Sequence, residues 1–275
     1  MAAADRPDRA AGLAKSHAFS LDAYHEPGPS LDLVPAQPHL LIAIEDFFSA
    51  AECEALIAAA HAVGLQPPSA SDLTPRKNEA YLNREKASFV DLAFAERVWQ
   101  RLRPFLPDID GRTPVGLHGD NSKDSRSMMS YYRYARGMRF DQHVDQSWKG
   151  SNAGEETEYT LLFYLNSQGE PIHVAEQDCE QPLVGGDTVF MATAKAELCR
   201  VAPKAGMALL HAHGRRCLMH YAEEVSRGAK YVLRADVLYR RVAAAEAAAA
   251  AATADALGAI GGDGGGGKHK KGKRK

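Results

Sequence analysis

From Ser127 onward the chain is built of short pieces. Segments that suit β-strands recur near 128–134, 139–145, 159–166, 187–191, 207–213 and 229–239, broken by Gly, Pro and Asn, with turns such as GG at 185–186 and PKAG at 203–206. Two helical patterns come before them. Ser49-Ala50-Ala51-Glu52 has the composition of a capping box and launches a helix through Leu56, Ile57 and Ala60 that stops at Gly64. A second helix follows Asp91, with Leu92, Ala95, Val98, Trp99 and Leu102 on one face, and Pro104 ends it. The stretch QPPSASDLTPRKNEAYLNREK between the helices reads as a polar loop. Helices followed by regularly spaced strands predict an α+β chain in which helices pack on a β-sandwich or jelly roll.

The segmentation suggests four parts. Residues 1–35, rich in Ala, Pro and Asp, are expected to lie loose on the surface. Residues 36–126 form a helical support region, and 127–241 the strand-rich domain. Residues 242–275 are an Ala- and Gly-rich tail ending in KHKKGKRK, a flexible segment that is either a nuclear-targeting or nucleic-acid patch or a solubilising end. A formal net charge of −2 creates no global field toward nucleic acid or anionic lipid. No apolar run reaches the ~18 residues of a membrane span, and the polar start MAAADRPDRAAGLAKSH lacks the apolar core of a secretory signal. An intracellular protein, cytoplasmic or nuclear, is therefore expected. Cys53, Cys179, Cys199 and Cys217 have no CxxC spacing and read as reduced thiols.

Chemistry begins at RFDQHVDQSW. On a strand, residues two apart point the same way, so His143 and Asp145 project side by side. A third ligand is needed, and His173, His211, His213 and His220 are the downstream candidates. Two imidazoles and one carboxylate on one face of a metal leave three positions open, the arrangement of non-haem Fe(II) oxygenases. A structural zinc site would close its tetrahedron with protein ligands. The last strand, AKYVLRADVLY, adds a second element. Tyr231, Leu233, Ala235, Val237 and Tyr239 form an apolar face, while Lys230, Val232, Arg234 and Asp236 alternate onto the other. Cations facing the interior of a sheet need an anionic partner, which a dicarboxylate co-substrate would supply. In EYTLLFYLN the same alternation sets Thr160, Leu162, Tyr164 and Asn166 against Tyr159, Leu161, Phe163 and Leu165.

Taken together and in order, YYRYARGMRFDQHVD, YTLLFYLN, GGDTVF, VAPKAGMALLH and the H-x9-K that ends in KYVLRADVLY resemble the catalytic domain of prolyl 4-hydroxylase-type Fe(II)- and 2-oxoglutarate-dependent dioxygenases. The resemblance runs over about residues 127–241. It implies a double-stranded β-helix (jelly-roll) core with the N-terminal helices packed against the sheet. By this resemblance His143, Asp145 and His220 are the catalytic iron ligands, and Lys230 pairs with the far carboxylate of 2-oxoglutarate. Tyr134 and Tyr164 match tyrosines lining that pocket, and Arg234 is a second candidate for anion binding. Fe(II), 2-oxoglutarate and O2 are the implied cofactors, with ascorbate as a reductant. The implied reaction hydroxylates a C–H bond, of a peptidyl proline or another protein side chain, and releases succinate and CO2. A protein or peptide is the expected partner and a small molecule the alternative; neither a membrane nor, the basic tail aside, nucleic acid is expected. The segment QSWKGSNAGEETEY, where such enzymes carry a mobile substrate loop, names no substrate. Two competing readings are a non-catalytic jelly-roll binding module and a jelly-roll metalloenzyme that does not use 2-oxoglutarate.

Overall fold

A computed structural model describes residues 21–22, 25–77, 79–118, 128–172 and 181–241. Most of the N-terminal segment, His173, Cys179 and the tail 242–275 lie outside the described residues. In chain order the elements are β1 (Ser30–Asp32), β2 (Leu41–Ile44), α1 (Ala50–Val63), α2 (Ala70–Leu73), β3 (Glu85–Val90), α3 (Leu92–Leu102) and β4 (Arg112–His118). There follow β5 (Met128–Tyr134), β6 (Phe140–His143), β7 (Glu155–Tyr164), β8 (Val184–Gly185), β9 (Thr188–Thr193) and β10 (Ala196–Val201). The last four are β11 (Ala208–Ala212), β12 (His220–Ala222), β13 (Val225–Arg227) and β14 (Lys230–Arg241).

A large sheet runs β1-β2-β11-β7-β14-β5-β3, with β4 pairing the far half of β14; a smaller one runs β10-β9-β12-β6. Every pairing in both is antiparallel. The large sheet is therefore built on two long central strands, β7 and β14, whose alternating residues serve two different layers. On β14, Tyr231, Leu233, Ala235, Val237 and Tyr239 join one apolar cluster with Leu56, Ile57 and Ala60 of α1 and with Phe94, Val98 and Leu102 of α3. Val232, on the opposite face, joins a second cluster with Tyr132 and Tyr164 of the large sheet and Phe190 and Val201 of the small one. Helices thus cover one face of the large sheet and the small sheet covers the other, a double-stranded β-helix with its helices packed as the sequence implies.

The helix ends follow from the sequence. Ser49 and Glu52 form the reciprocal capping box, and the N–H of Gly64, at φ 96°, closes α1 on the carbonyl of Ala60. Glu52 does a second job: it receives two hydrogen bonds from the Arg101 guanidinium, 2.9 and 3.0 Å, which lock α1 to α3.

Several expectations change. The polar loop between the helices contains α2 and the first two residues of β3, and the helical support region contributes β3 and β4 to the large sheet beside β2, whose apolar run suits a buried strand. Residues 21–35 are not uniformly loose, since Leu21 is buried and β1 pairs with β2. In α3 the buried face is Phe94, Ala95, Val98 and Leu102, while Leu92 stands 66% exposed. Pro104 does not stop the chain outright, because Arg103–Phe105 adds one 3-10 turn. Among the described residues, no helix is long and apolar enough to cross a membrane.

Candidate functional site

Between the sheets lies a narrow pocket. The large sheet lines it with Tyr132 and Tyr134 (β5), Thr160 and Leu162 (β7), His211 (β11), and Lys230, Val232 and Arg234 (β14). The small sheet lines it with Phe140 and His143 (β6), Thr188 (β9), and His220, Tyr221 and Ala222 (β12); Asp145 follows just after β6. Register explains the meeting: His220 on β12 pairs directly with His143 on β6. Two histidines 77 positions apart in numbering thus become cross-strand neighbours, with ring centroids 4.2 Å apart.

His143, Asp145 and His220 each place one ligand atom within 4.8 Å of the other two. Both imidazoles are held in the same way. Nδ1 of His143 lies 2.8 Å from the carbonyl of Asp141, and Nδ1 of His220 lies 2.9 Å from the carbonyl of Leu218. Only an N–H can satisfy a carbonyl, so the proton sits on Nδ1 in each ring and the Nε2 lone pair is free to coordinate. Nε2 of His143 stands 3.4 Å from Oδ1 of Asp145. The Phe140 ring, stacked on His143 with centroids 3.5 Å apart, fixes its plane. Burial pushes the His220 imidazole down to about 4, and the neighbouring His143 pushes the same way. His220 is therefore neutral at pH 7, as a metal ligand must be.

Asp145 divides its two oxygens. Oδ1 faces His143; Oδ2 accepts from the Thr160 hydroxyl at 2.6 Å and from Arg234 at 3.2 Å. Burial alone would raise its carboxyl, but Arg234, with the surrounding histidines, holds it well below the usual carboxylate range. Arg234 donates to Asp236 as well, at 3.4 Å, and is itself buried. Parity puts it inside the barrel as the sequence implied, yet its guanidinium is turned onto two carboxylates of the chain, so it braces the acidic ligand and does not wait at the rim for an anion. The donor set fits a divalent iron of the two-histidine, one-carboxylate kind.

The other end of the pocket is cationic. Lys230 is 2% exposed, and its Nζ donates to the carbonyl of Gly186 at 2.6 Å and to the Thr188 hydroxyl at 3.4 Å. The rings of Tyr164 and Tyr134 lie 5.1 and 5.6 Å from that nitrogen. The Tyr164 hydroxyl donates to Thr188 at 2.7 Å. Burial pushes the Lys230 ammonium down to about 7, against a smaller opposing pull from Asp187 and Glu223. Gly186 is required here: its φ is +81°, and a Cβ would stand 3.3 Å from Cδ of Lys230. Asn166 shares the parity but serves the frame, receiving the backbone N–H of Tyr231 and donating to the carbonyl of Ala229.

Three participants were not singled out in the sequence. Thr160 and Thr188 are ordinary strand threonines by composition, and only their place on the pocket face marks them. Cys217 is a lone reduced thiol by its sequence context; its sulfur accepts the backbone N–H of Asp145 at 3.2 Å and lies 3.9 Å from Nδ1 of His220. His211, Cys217 and His220 make a second group with ligand atoms within 4.8 Å. Burial pushes the Cys217 thiol up to about 12, so it is protonated in the metal-free protein. His213, the other histidine of the strand end, is held by Thr160 at 3.2 Å.

Outside the triad a groove of about 730 Å³ runs along Ser71, Asp72, Glu79, Trp148 and Met219 to the same His143 and Asp145. The backbone N–H of Trp148, from the expected substrate loop, donates to the Thr157 hydroxyl at 2.9 Å.

No protein-family model matches the chain, and no curated protein matches it. Among solved structures it is similar to a viral collagen prolyl hydroxylase from Paramecium bursaria Chlorella virus-1 in a 2OG complex, at 20% identity and TM-score 0.47, over 73% of this chain and 96% of that one. It is also similar to a Pseudomonas putida prolyl-4-hydroxylase, at 17% identity and TM-score 0.47, over 76% and 96%. A third is a Trichoplax adhaerens prolyl hydroxylase in complex with a hypoxia inducible factor peptide fragment, at 14% identity and TM-score 0.45, over 72% and 83%. These likenesses are distant, and the chemistry of the site rests on its own side chains.

Proposed function

We propose that the chain is an Fe(II)- and 2-oxoglutarate-dependent dioxygenase that hydroxylates a peptidyl proline or another protein side chain. One observation carries this reading: a single pocket has two tautomer-fixed imidazoles and a carboxylate at one end and a buried primary amine at the other. His143, Asp145 and His220 would hold the iron, which when bound supplies O2 activation coupled to the oxidative decarboxylation of 2-oxoglutarate to succinate and CO2. Lys230 would pair with the distal carboxylate, helped by the Thr188 hydroxyl. Thr160 and Arg234 keep Oδ2 of Asp145 engaged, so that Oδ1 is the oxygen presented to the metal. The apolar walls Leu162 and Val232 exclude water between the two ends. The groove of about 730 Å³ by Trp148 and Met219 would receive the peptide.

Purified protein supplied with Fe(II), O2 and ascorbate should convert 2-oxoglutarate to succinate, faster in the presence of proline-containing peptides than with free amino acids. Absence of both turnover and 2-oxoglutarate binding in iron-loaded protein would sink the reading. A pattern of metal binding without 2-oxoglutarate binding would favour a jelly-roll metalloenzyme of another kind.

The lysine gives this reading a pH signature. In the free protein its ammonium loses its proton near pH 7, whereas a bound carboxylate needs the charged form. Affinity for 2-oxoglutarate should therefore be roughly constant below pH 7 and fall as pH rises above it, by up to about ten-fold per pH unit. Titration calorimetry of the Mn(II)-loaded protein between pH 6 and 9 checks this. A flat profile would show that Lys230 does not bind the co-substrate as an ammonium.

A further inference from the structure

His211 is the one buried imidazole of the pocket whose position no ligand role explains. It lies on β11 between β2 and β7, with Leu41 and Thr160 as its register partners, so its backbone is clamped on both sides. The residue is 1% exposed, and its ring sits 5.4 Å from Phe190 and 4.5 Å from His220, centroid to centroid. Its Nδ1 is buried with no hydrogen-bond partner. A buried N–H needs an acceptor, and Nδ1 has none; Nε2 is the nitrogen that an anion bound in the pocket could supply with one, so the proton belongs there in the anion-bound state. That nitrogen faces the pocket: it is 3.9 Å from Oδ2 of Asp145, beyond hydrogen-bond reach, and Oδ2 is already engaged by Thr160 and Arg234. His211 thus places one nitrogen beside the metal ligands, where it can donate to an anion that lies against them.

Register says which end of a dicarboxylate that would be. Along the same face of β7 run Thr160 and Leu162, which line the pocket, and then Tyr164 beside Lys230, from the Asp145 end toward the Lys230 end, and His211 is level with Thr160. We propose that His211 binds the 2-oxo carboxylate head of the co-substrate by donating a hydrogen bond from Nε2, while Lys230 holds the opposite carboxylate. The assignment rests on the oxygenase reading above. It makes His211 a co-substrate-binding residue outside the His143, Asp145 and His220 set.

The test uses Mn(II), which occupies the site without redox turnover. Affinities for Mn(II), and for 2-oxoglutarate in the Mn(II)-loaded protein, are measured in the native chain, in His211→Phe and in His211→Gln. Phenylalanine keeps ring and volume beside Phe190 but offers no donor; glutamine restores an N–H near the Nε2 position. His211→Phe should bind 2-oxoglutarate at least about ten-fold more weakly with Mn(II) affinity within about two-fold of native, and His211→Gln should recover most of that loss. The proposal is overturned if the phenylalanine variant binds 2-oxoglutarate as the native chain does, if Mn(II) affinity falls in parallel, or if glutamine recovers nothing. A native chain that holds Mn(II) yet fails to bind 2-oxoglutarate would overturn the oxygenase reading itself, and this inference with it.

Discussion

Asp145→Ala is expected to destabilise the fold by about 3–5 kcal/mol in addition to abolishing metal binding, because it leaves a buried guanidinium short of its partner. Arg234 donates to Asp145 at 3.2 Å and is buried between the sheets. Asp236, 3.4 Å away, retains part of the compensation, which places the cost toward the lower end of that range. His143→Ala is the contrasting case. Its ring is partly exposed and stacks on Phe140, so its removal should cost about 1 kcal/mol while lowering metal affinity more than about a hundred-fold. Urea unfolding of the metal-free proteins separates the two effects. Equal losses of stability in both variants would show that the Arg234–Asp145 pair does not brace the fold, and retained metal binding in either would remove that residue from the ligand set.

Parity was the most informative signal in the sequence, and it carried from the strand to the site. On β14 it separated the apolar residues that meet the helices from Lys230, Val232 and Arg234, which line the pocket. It could not say what each pocket-facing side chain would meet. Arg234 meets Asp145, 89 positions earlier, only because β14 and the end of β6 are brought together by pairings the local sequence does not encode. His211 is a similar case: as one of four candidate third ligands it was visible, but its height relative to Thr160 is a property of the β11–β7 register.

β3 and β4 carry little of the strand pattern, each for a physical reason. β3 closes one end of the large sheet and buries only Ala87 and Phe89 of its six residues, so its polar positions mimic a loop. β4 pairs with β14 alone, and that freedom lets it carry Pro114 and Gly116, two residues that argue against a central strand. In α3 the side-chain cap by Asp91 sets the helix so that Leu92, at its first position, points outward and Phe94 inward. Periodicity alone cannot choose that rotation, since both residues are apolar.

Lys230→Met should separate stability from function, raising the first and removing the second. The native ammonium is buried with a backbone carbonyl and a hydroxyl as its bonded partners, and burial has pushed it down to about 7. Below that pH the folded state holds a charge it has desolvated; as pH rises from 7 toward 10.5 the unfolded chain binds more protons than the folded one, so the penalty is relieved. Methionine fills the same channel past Gly186 with no charge to bury, at the cost of leaving the Gly186 carbonyl without its donor. The net expectation at pH 6 is a gain on the order of 1–4 kcal/mol in unfolding free energy, shrinking as pH rises above 7. Affinity for 2-oxoglutarate should fall by about 2–5 kcal/mol, at least roughly thirty-fold, because the distal carboxylate would then be buried without a counter-charge. Mn(II) affinity should not change, since Lys230 sits at the end of the pocket away from His143, Asp145 and His220. A variant that is less stable at pH 6 and binds 2-oxoglutarate normally would mean that the lysine is held for the fold, and the anion-binding half of the site would have to be sought elsewhere.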